Sequence, residues 1–384
     1  MYESLIDSIR AVQHFPEGLI PLHAPIFAGN EKKYVLDTIE STFVSSVGEY
    51  VTRFEDMLAE YCGCRRAIAC CNGTAALEIA LRLAGVEAGD MVLTQAMSFV
   101  ATANAIVHAG GKPVFLDIDR DTLGLAPEAV QNFLEKHCHL EGKVCRHTIS
   151  GGRVAACVPM HTFGHPVHMN KLLSVCDKWH IPVVEDAAEA LGSIYRGKHC
   201  GTMGLLGILS FNGNKIVTTG GGGAVLTNDE RIGKLAKHWT TTAKLPHRWE
   251  FRHDHVAWNF RLPNLNAALG CAQMEQIEHF LAVKRRRAVA YAQLFNDTDW
   301  QFLHEPPNCS SNYWLCAVLT NSRTERDLFL AETNAAGLQT RPAWEPLQTL
   351  SMYKSSIHSN LDVTIDIAAR LVNLPSGVLN GAFL

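Results

Sequence analysis

The sequence predicts an α/β fold: a mixed, mostly parallel sheet flanked by helices, followed by a smaller C-terminal α+β domain. Three observations predict it. Short apolar runs alternate with amphipathic stretches from Glu31 to Asn228, as repeated βα units do. The 384 residues are 47% hydrophobic and 19% charged, enough to bury a large core. Beyond Asp229 the alternation stops, and a polar loop and Ala-rich helix follow. The expected division is a large cofactor-binding domain over 1–250, with an N-terminal arm over about 1–30, then 251–384 with a loop, a helical segment and the small domain.

Taken in order, Glu31 to Ser41 reads as a helix capped by Asn30, and Arg53 to Tyr61 as another. Ala67 to Cys71 is a short buried strand that runs into Asn72-Gly73-Thr74. Ala75 to Leu83 is a helix closed by Gly85. Strands at Met91–Thr94, Lys112–Asp117, Val154–Pro159 and Ile181–Asp186 alternate with helices at Val100–His108, Pro127–His137 and Met169–Trp179. An apolar run from Leu205 to Phe211 leads to Lys215 and four glycines, Gly220 to Gly223. Arg231 to Thr240 is helical. Lys244 to Phe260, rich in His, Trp and Arg, reads as a long loop. Helices follow at Leu265–Gln276 and about Glu278–Phe295, and Trp314 to Leu384 forms the small domain.

The bulk properties exclude several functions. A net charge of −4 favours neither nucleic acid nor an anionic membrane. The one basic run, Lys284-Arg285-Arg286-Arg287, follows an amphipathic stretch and is expected to be a solvated helix face. The first residues carry acids and no apolar segment, so a secretory signal is not expected. No apolar run approaches a membrane span. Twelve cysteines then read as reduced thiols of a cytoplasmic protein. His161, His165 and His168 share a loop broken by Gly164 and Pro166 that holds no acid, so they are expected near the active site rather than on a metal. No metal is expected.

The chemistry gathers at strand ends, where open α/β sheets bind ligands. Asn72-Gly73-Thr74 opens a helix whose free N–H groups and positive dipole end suit a phosphate. Ser98-Phe99 offers an aromatic face to a flat ring. Asp186 ends the strand Ile181-Pro182-Val183-Val184-Glu185-Asp186 and can keep a pyridine nitrogen protonated. Ser210 can donate to phosphate, and Lys215 can take an aldehyde through its amine. Together these are what pyridoxal 5'-phosphate needs. Singly, each also fits a bland role: a helix cap at Asn72 or Asp186, a core ring at Phe99, a flexible turn at Gly220 to Gly223.

In combination the chain resembles the DegT-type sugar aminotransferases, fold-type I pyridoxal phosphate enzymes. The resemblance is carried by Glu185-Asp186-Ala187-Ala188-Glu189-Ala190-Leu191-Gly192, Ser210-Phe211-x-x-x-Lys215 with its glycines, Gly73-Thr74-Ala75-Ala76-Leu77, Ser98 to Thr102 and Asn259-Phe260-Arg261-Leu262, and it spans Pro21 to Pro375. Ser41 to Gly48, Asp119 to Leu125, Ser210 to Lys215 and Thr340 to Trp344 are similar to the branch that serves legionaminic acid and related bacterial surface sugars. The resemblance implies that Lys215 holds the cofactor and moves the proton, and that Asp186 holds the ring nitrogen. It implies that Phe99 stacks on the ring, that Gly73, Thr74 and Ser210 bind the phosphate, and that Asn259 completes that site from the neighbouring subunit of a homodimer. It also implies glutamate as amino donor and a 4-keto-6-deoxy nucleotide sugar as acceptor, UDP-linked 2-acetamido-4-keto-2,6-dideoxyhexose first, with a GDP- or dTDP-linked sugar, or a non-catalytic regulator, as alternatives. Glu189 departs from the Gln or His common at its position near the ring hydroxyl, and Gly221 replaces an acid. Lys215, where some relatives have the His of dehydratases, favours transamination.

Overall fold

A computed structural model describes residues 2–15 and 17–378. The expected small domain therefore ends in six residues, 379–384, that lie outside the described residues. Seven strands build the central sheet: β1 (Arg66–Cys70), β2 (Met91–Gln95), β3 (Lys112–Leu116), β4 (Val154–Val158), β5 (Val184–Asp186), β6 (Leu206–Ser210) and β7 (Gly223–Thr227). Their spatial order is β1-β7-β6-β5-β4-β2-β3, with β5 joined to β4 through the Cys157–Val183 and Met160–Asp186 bridges. All neighbours are parallel except β7, which runs against both β1 and β6. The four strands from β4 to β7 are buried at nearly every position, as in sheets covered on both faces.

Helix α1 (Glu3–Gln13) lies in the arm, where no helix was expected; α2 (Glu31–Glu40), α3 (Glu49–Cys62), α4 (Gly73–Leu83), α5 (Val100–His108), α6 (Pro127–His137), α7 (Met169–Lys178), α8 (Glu230–Thr240), α9 (Asn264–Met274) and α10 (Ile277–Asn296) match the expected ones to within a few residues at most ends. None of the described helices is long and apolar enough to cross a membrane. The small C-terminal sheet is antiparallel, in the order Gln301–Phe302, Cys316–Leu319, Leu371–Leu374, Arg341–Pro342. Two helices accompany it, α11 (Arg323–Ala335) and α12 (Asp362–Arg370). The N-terminal arm joins this half of the molecule: Ile6, Ile9 and Ile20 pack with Phe295, Trp300 and Phe329.

Three expectations need correction. Asn30 sits before α2 but does not cap it through its side chain, because its Nδ2 donates to Glu275 Oε2 at 2.7 Å instead. A carboxylate is the stronger acceptor. A hairpin, Cys138–Glu141 with Val144–His147, was not expected between α6 and β4. Third, the basic run on α10 is not a solvated face, since only Arg286 is exposed. Lys284 is 1% exposed and donates to the carbonyls of Trp314 (3.1 Å) and Ser376 (2.6 Å). Arg287 is buried against the Gly377 carbonyl, and Arg285 pairs with Glu305 at 2.8 Å. The segment after Leu374 is not a strand, so its carbonyls need donors from a neighbour. Lys284→Ala, which strands two buried acceptors, is expected to lower the unfolding free energy by about 2–4 kcal/mol. Arg286→Ala should change it by less than about 0.5 kcal/mol. Equal effects of the two in urea titrations would restore the solvated face.

Candidate active site

The carboxyl ends of β1, β5 and β6, with the loop after β2, open onto a cavity of about 370 Å³. Gly73, Thr74, Phe99, Asp186, Glu189, Ser210 and Lys215 all line it. Asn259 does not: it is exposed, and its Oδ1 accepts from Arg261 Nε at 2.8 Å. Seven of the eight residues singled out in the sequence thus share one wall system.

The start of α4 explains one end. Asn72 Oδ1 accepts from the Ala75 amide at 2.8 Å and caps the helix. The Gly73 and Thr74 amides make no hydrogen bond among the described residues, so they are free for a ligand at the positive end of the dipole. Close approach is needed here. A Cβ on Gly73 would stand 3.0 Å from Ser210 Cβ, and one on Gly223 2.5 Å from the Asn72 backbone. These glycines bring two hydroxyls, Thr74 and Ser210, beside the free amides. Neutral donors grouped at a helix start suit an oxyanion.

At the other end lie two acids and one amine. Asp186 Oδ2 accepts from Thr102 Oγ1 at 2.7 Å, and Oδ1 from the Ala188 amide at 3.1 Å. Burial pushes the Asp186 carboxyl up, against the pull of these two donors and of Lys215. A buried carboxylate in this state is stabilised by a cation brought into the cavity. Its neighbour Glu185 faces the opposite side of the strand. Burial would raise it too, but His161 at 3.0 Å and the amides of Gly201, Met203 and Gly204 at 2.6–2.8 Å hold it low. Glu189 Oε1 lies 3.4 Å from Lys215 Nζ, and Oε2 accepts from the Phe163 amide at 2.9 Å. Burial, opposed by Lys215, pushes Glu189 up to about 7. Lys215 Nζ also stands 4.0 Å from the centre of the Trp314 ring. Phe99, 51% exposed, precedes α5 and lies at the cavity edge.

The donor set fits pyridoxal 5'-phosphate: free amides and hydroxyls for the phosphate, a phenyl ring for its flat face, a cation-seeking carboxylate for its ring nitrogen and a primary amine for its aldehyde. The histidines of the 161–168 loop go separate ways: His161 to Glu185, His168 to Asp121 at 2.8 Å, His165 edge-on to Tyr313. Sequence reasoning missed the roles of Thr102, Trp314 and Trp344. Thr102 lies one helical turn after Phe99 within a stretch already marked, so its position was readable. The tryptophans arrive from the C-terminal part of the chain; Trp344 ends the Thr340 to Trp344 motif already marked, while Trp314 carried no local signal.

A fold and cavity of this kind define a pyridoxal phosphate-dependent aminotransferase. The chain belongs to the DegT/DnrJ/EryC1/StrS aminotransferase family, whose model matches residues 25–379. It is 36% identical over 366 residues to EpsN of Bacillus subtilis, covering 93% of this chain and 91% of that one. It is 34% identical over 357 residues to the GDP-perosamine synthase of Escherichia coli O157:H7, covering 93% of each. The solved structure of Helicobacter pylori PseC, an aminotransferase involved in the biosynthesis of pseudoaminic acid, has a TM-score of 0.83 at 25% identity, covering 93% of each chain. This chain is a sugar aminotransferase, and its family uses pyridoxal phosphate.

The Glu189 environment has a measurable consequence. A carboxyl raised to about 7 in the folded protein binds its proton more tightly there than when unfolded. Its protonated form therefore stabilises the fold at low pH, and that contribution is lost as pH rises from about 5 through 7. In protein stripped of cofactor, stability relative to Glu189→Gln is expected to fall by up to about 3 kcal/mol between pH 5 and 8. A pH-independent difference between the two unfolding curves would refute this.

Proposed function

We propose that the chain moves an amino group from glutamate to the C4 carbonyl of a nucleotide-linked 4-keto-6-deoxyhexose. The observation that carries this is the facing of the Lys215 amine and the buried Asp186 carboxylate in one cavity that also holds the open end of α4. Bound pyridoxal phosphate supplies an electron sink for charge formed on the substrate carbon. The chain's own residues do the rest. Lys215 Nζ would hold the aldehyde and, once the incoming amino group displaces it, would carry the proton to and from the substrate carbon. Asp186, fixed by Thr102, keeps the ring nitrogen protonated. Phe99 would lie against the ring, and Gly73, Thr74 and Ser210 would hold the phosphate. Donor and acceptor use the cavity in turn.

The acceptor we favour is UDP-linked 2-acetamido-4-keto-2,6-dideoxyhexose, for a bacterial surface glycan or nonulosonic acid. The legionaminic-type motifs support it, as does the likeness to PseC. A GDP-linked 4-keto sugar is the second reading, favoured by the 34% identity to a GDP-perosamine synthase. We place the enzyme in the cytoplasm, in keeping with twelve unpaired cysteines. We also infer a homodimer in which Asn259 reaches the partner's phosphate site, in keeping with its exposure and its absence from the lining of its own cavity.

Glutamate-dependent amination should be measured on UDP-, GDP- and dTDP-linked 4-keto-6-deoxy sugars. The highest kcat/KM is expected with the UDP sugar. A GDP preference selects the second reading, and no turnover with any of them removes the proposal. Lys215→Ala is expected to lower kcat by at least about 10³-fold with an unchanged circular-dichroism spectrum; retained turnover would contradict its role. Asn259→Ala is expected to weaken cofactor retention by about tenfold. Mixing Lys215→Ala with Asn259→Ala chains should then regenerate one intact site per dimer. Failure to complement would argue against a shared site.

A further inference from the structure

Resting on that reading, we propose that Trp314 and Trp344 form the acceptor subsite: the keto-sugar ring is received against their indole faces, and Trp344 discriminates the sugar from the amino donor. Both line the cavity, and both come from the C-terminal part of the chain. Trp314 is at the reacting amine, with Lys215 Nζ 4.0 Å from its ring centre. Any carbon attacked by or protonated from Nζ must therefore lie beside this ring. The indole N–H of Trp314 is committed to the Asn214 carbonyl at 2.8 Å, and its own amide to Asn312 Oδ1 at 2.7 Å. It offers the cavity a fixed apolar face and no donor.

Trp344 is complementary. It is half-buried, and its indole N–H has no partner among the described residues, so it can donate to a ligand hydroxyl. It is also held from behind. The fully buried Phe163 ring lies 5.1 Å away at 32°. Phe163 has φ of 56°, a left-handed conformation that a bulky side chain seldom adopts. The Glu189 carboxylate fixes that residue through its amide at 2.9 Å. Residues held in such conformations cluster at ligand clamps. One acid thus contacts the reactive amine with one oxygen and anchors the support of Trp344 with the other.

The chemistry of this wall suits the sugar better than it suits glutamate. Among the described lining residues Lys215 is the one cation, while Asp186 and Glu189 are acids. Apart from Lys215, no described lining side chain would pair the two carboxylates of glutamate. A hexose presents C–H faces that pack on aromatic rings and hydroxyls that accept an N–H.

Two readouts test this in the holoenzyme. For Trp344→Ala, kcat/KM for the UDP- or GDP-linked keto sugar that the native enzyme uses should fall by about 10- to 100-fold. The rate at which glutamate bleaches the bound cofactor should fall much less. Trp344→Phe should recover part of the loss, because the ring returns without the donor. In equilibrium dialysis, Trp344→Ala should weaken binding of the nucleotide sugar but not of bare UDP or GDP. Equal losses with sugar and glutamate, or an equal loss of bare nucleotide binding, would overturn the subsite. If the native enzyme aminates no keto sugar, the proposed function itself falls, and this inference with it.

Discussion

Burying two adjacent carboxylates on one short strand, and treating them oppositely, is the constraint on which the site depends. Glu185 and Asp186 end β5, and strand alternation sends them to opposite faces. Glu185 is saturated: three backbone amides and the His161 ring take its lone pairs. That requires the 201–204 turn to fold back on the strand. Gly207 makes this possible, because a Cβ there would stand 2.1 Å from the Gly201 carbonyl oxygen. Asp186 is left with two donors and an open cavity. Desolvation of the first is offset by the protein alone. Desolvation of the second is offset in full only when a cation arrives, which gives the fold a built-in preference for a protonated pyridine ring.

The second requirement is closeness at the other end of the same sheet. Strand β7 runs antiparallel between β1 and β6, and this brings the glycine-rich turn back over the first turn of α4. The glycines there serve contact more than flexibility. Gly223 meets the Asn72 backbone, and Gly73 meets Ser210. The distance between phosphate cradle and acidic pocket is thereby set by strand packing, which deforms little.

Much of this was legible because it is local. A strand end, a cap and the next helix turn lie within a few residues of each other, so Asn72 to Thr74, Ser98-Phe99, Asp186 and Lys215 could be placed from order alone. What the sequence hid was tertiary. Lys284-Arg285-Arg286-Arg287 has the composition of a surface, yet two of its members are buried because a non-strand segment ninety residues later leaves its carbonyls without a ladder. Asn30 has the residue type of a cap, yet Glu275 from α9's far end takes its side chain. Trp314 and Trp344 look like core residues until the small domain is docked against the sheet ends. Asn259, expected to serve the phosphate site of a neighbouring subunit, does not line the cavity of its own chain.

Charge closes the argument about completeness. The lining of the cavity carries two carboxyls and one amine. A phosphate adds roughly two negative charges, and its cradle here consists of neutral donors alone: two amides and two hydroxyls. A helix end offsets about half a unit of charge. Protonation of the ring balances Asp186, and Lys215 is shared with Glu189, which leaves the phosphate under-compensated by this chain's described residues. On the proposed site, polar groups from beyond the cavity's own walls would complete the balance. The largely exposed 244–259 segment, with Lys244, Arg248, Arg252 and Asn259 and its outward Trp249 and Phe251, is where this chain would offer donors and apolar surface to another copy. The electrostatics of a single cavity thus support the same proposal as the exposed position of Asn259, a site shared between two chains.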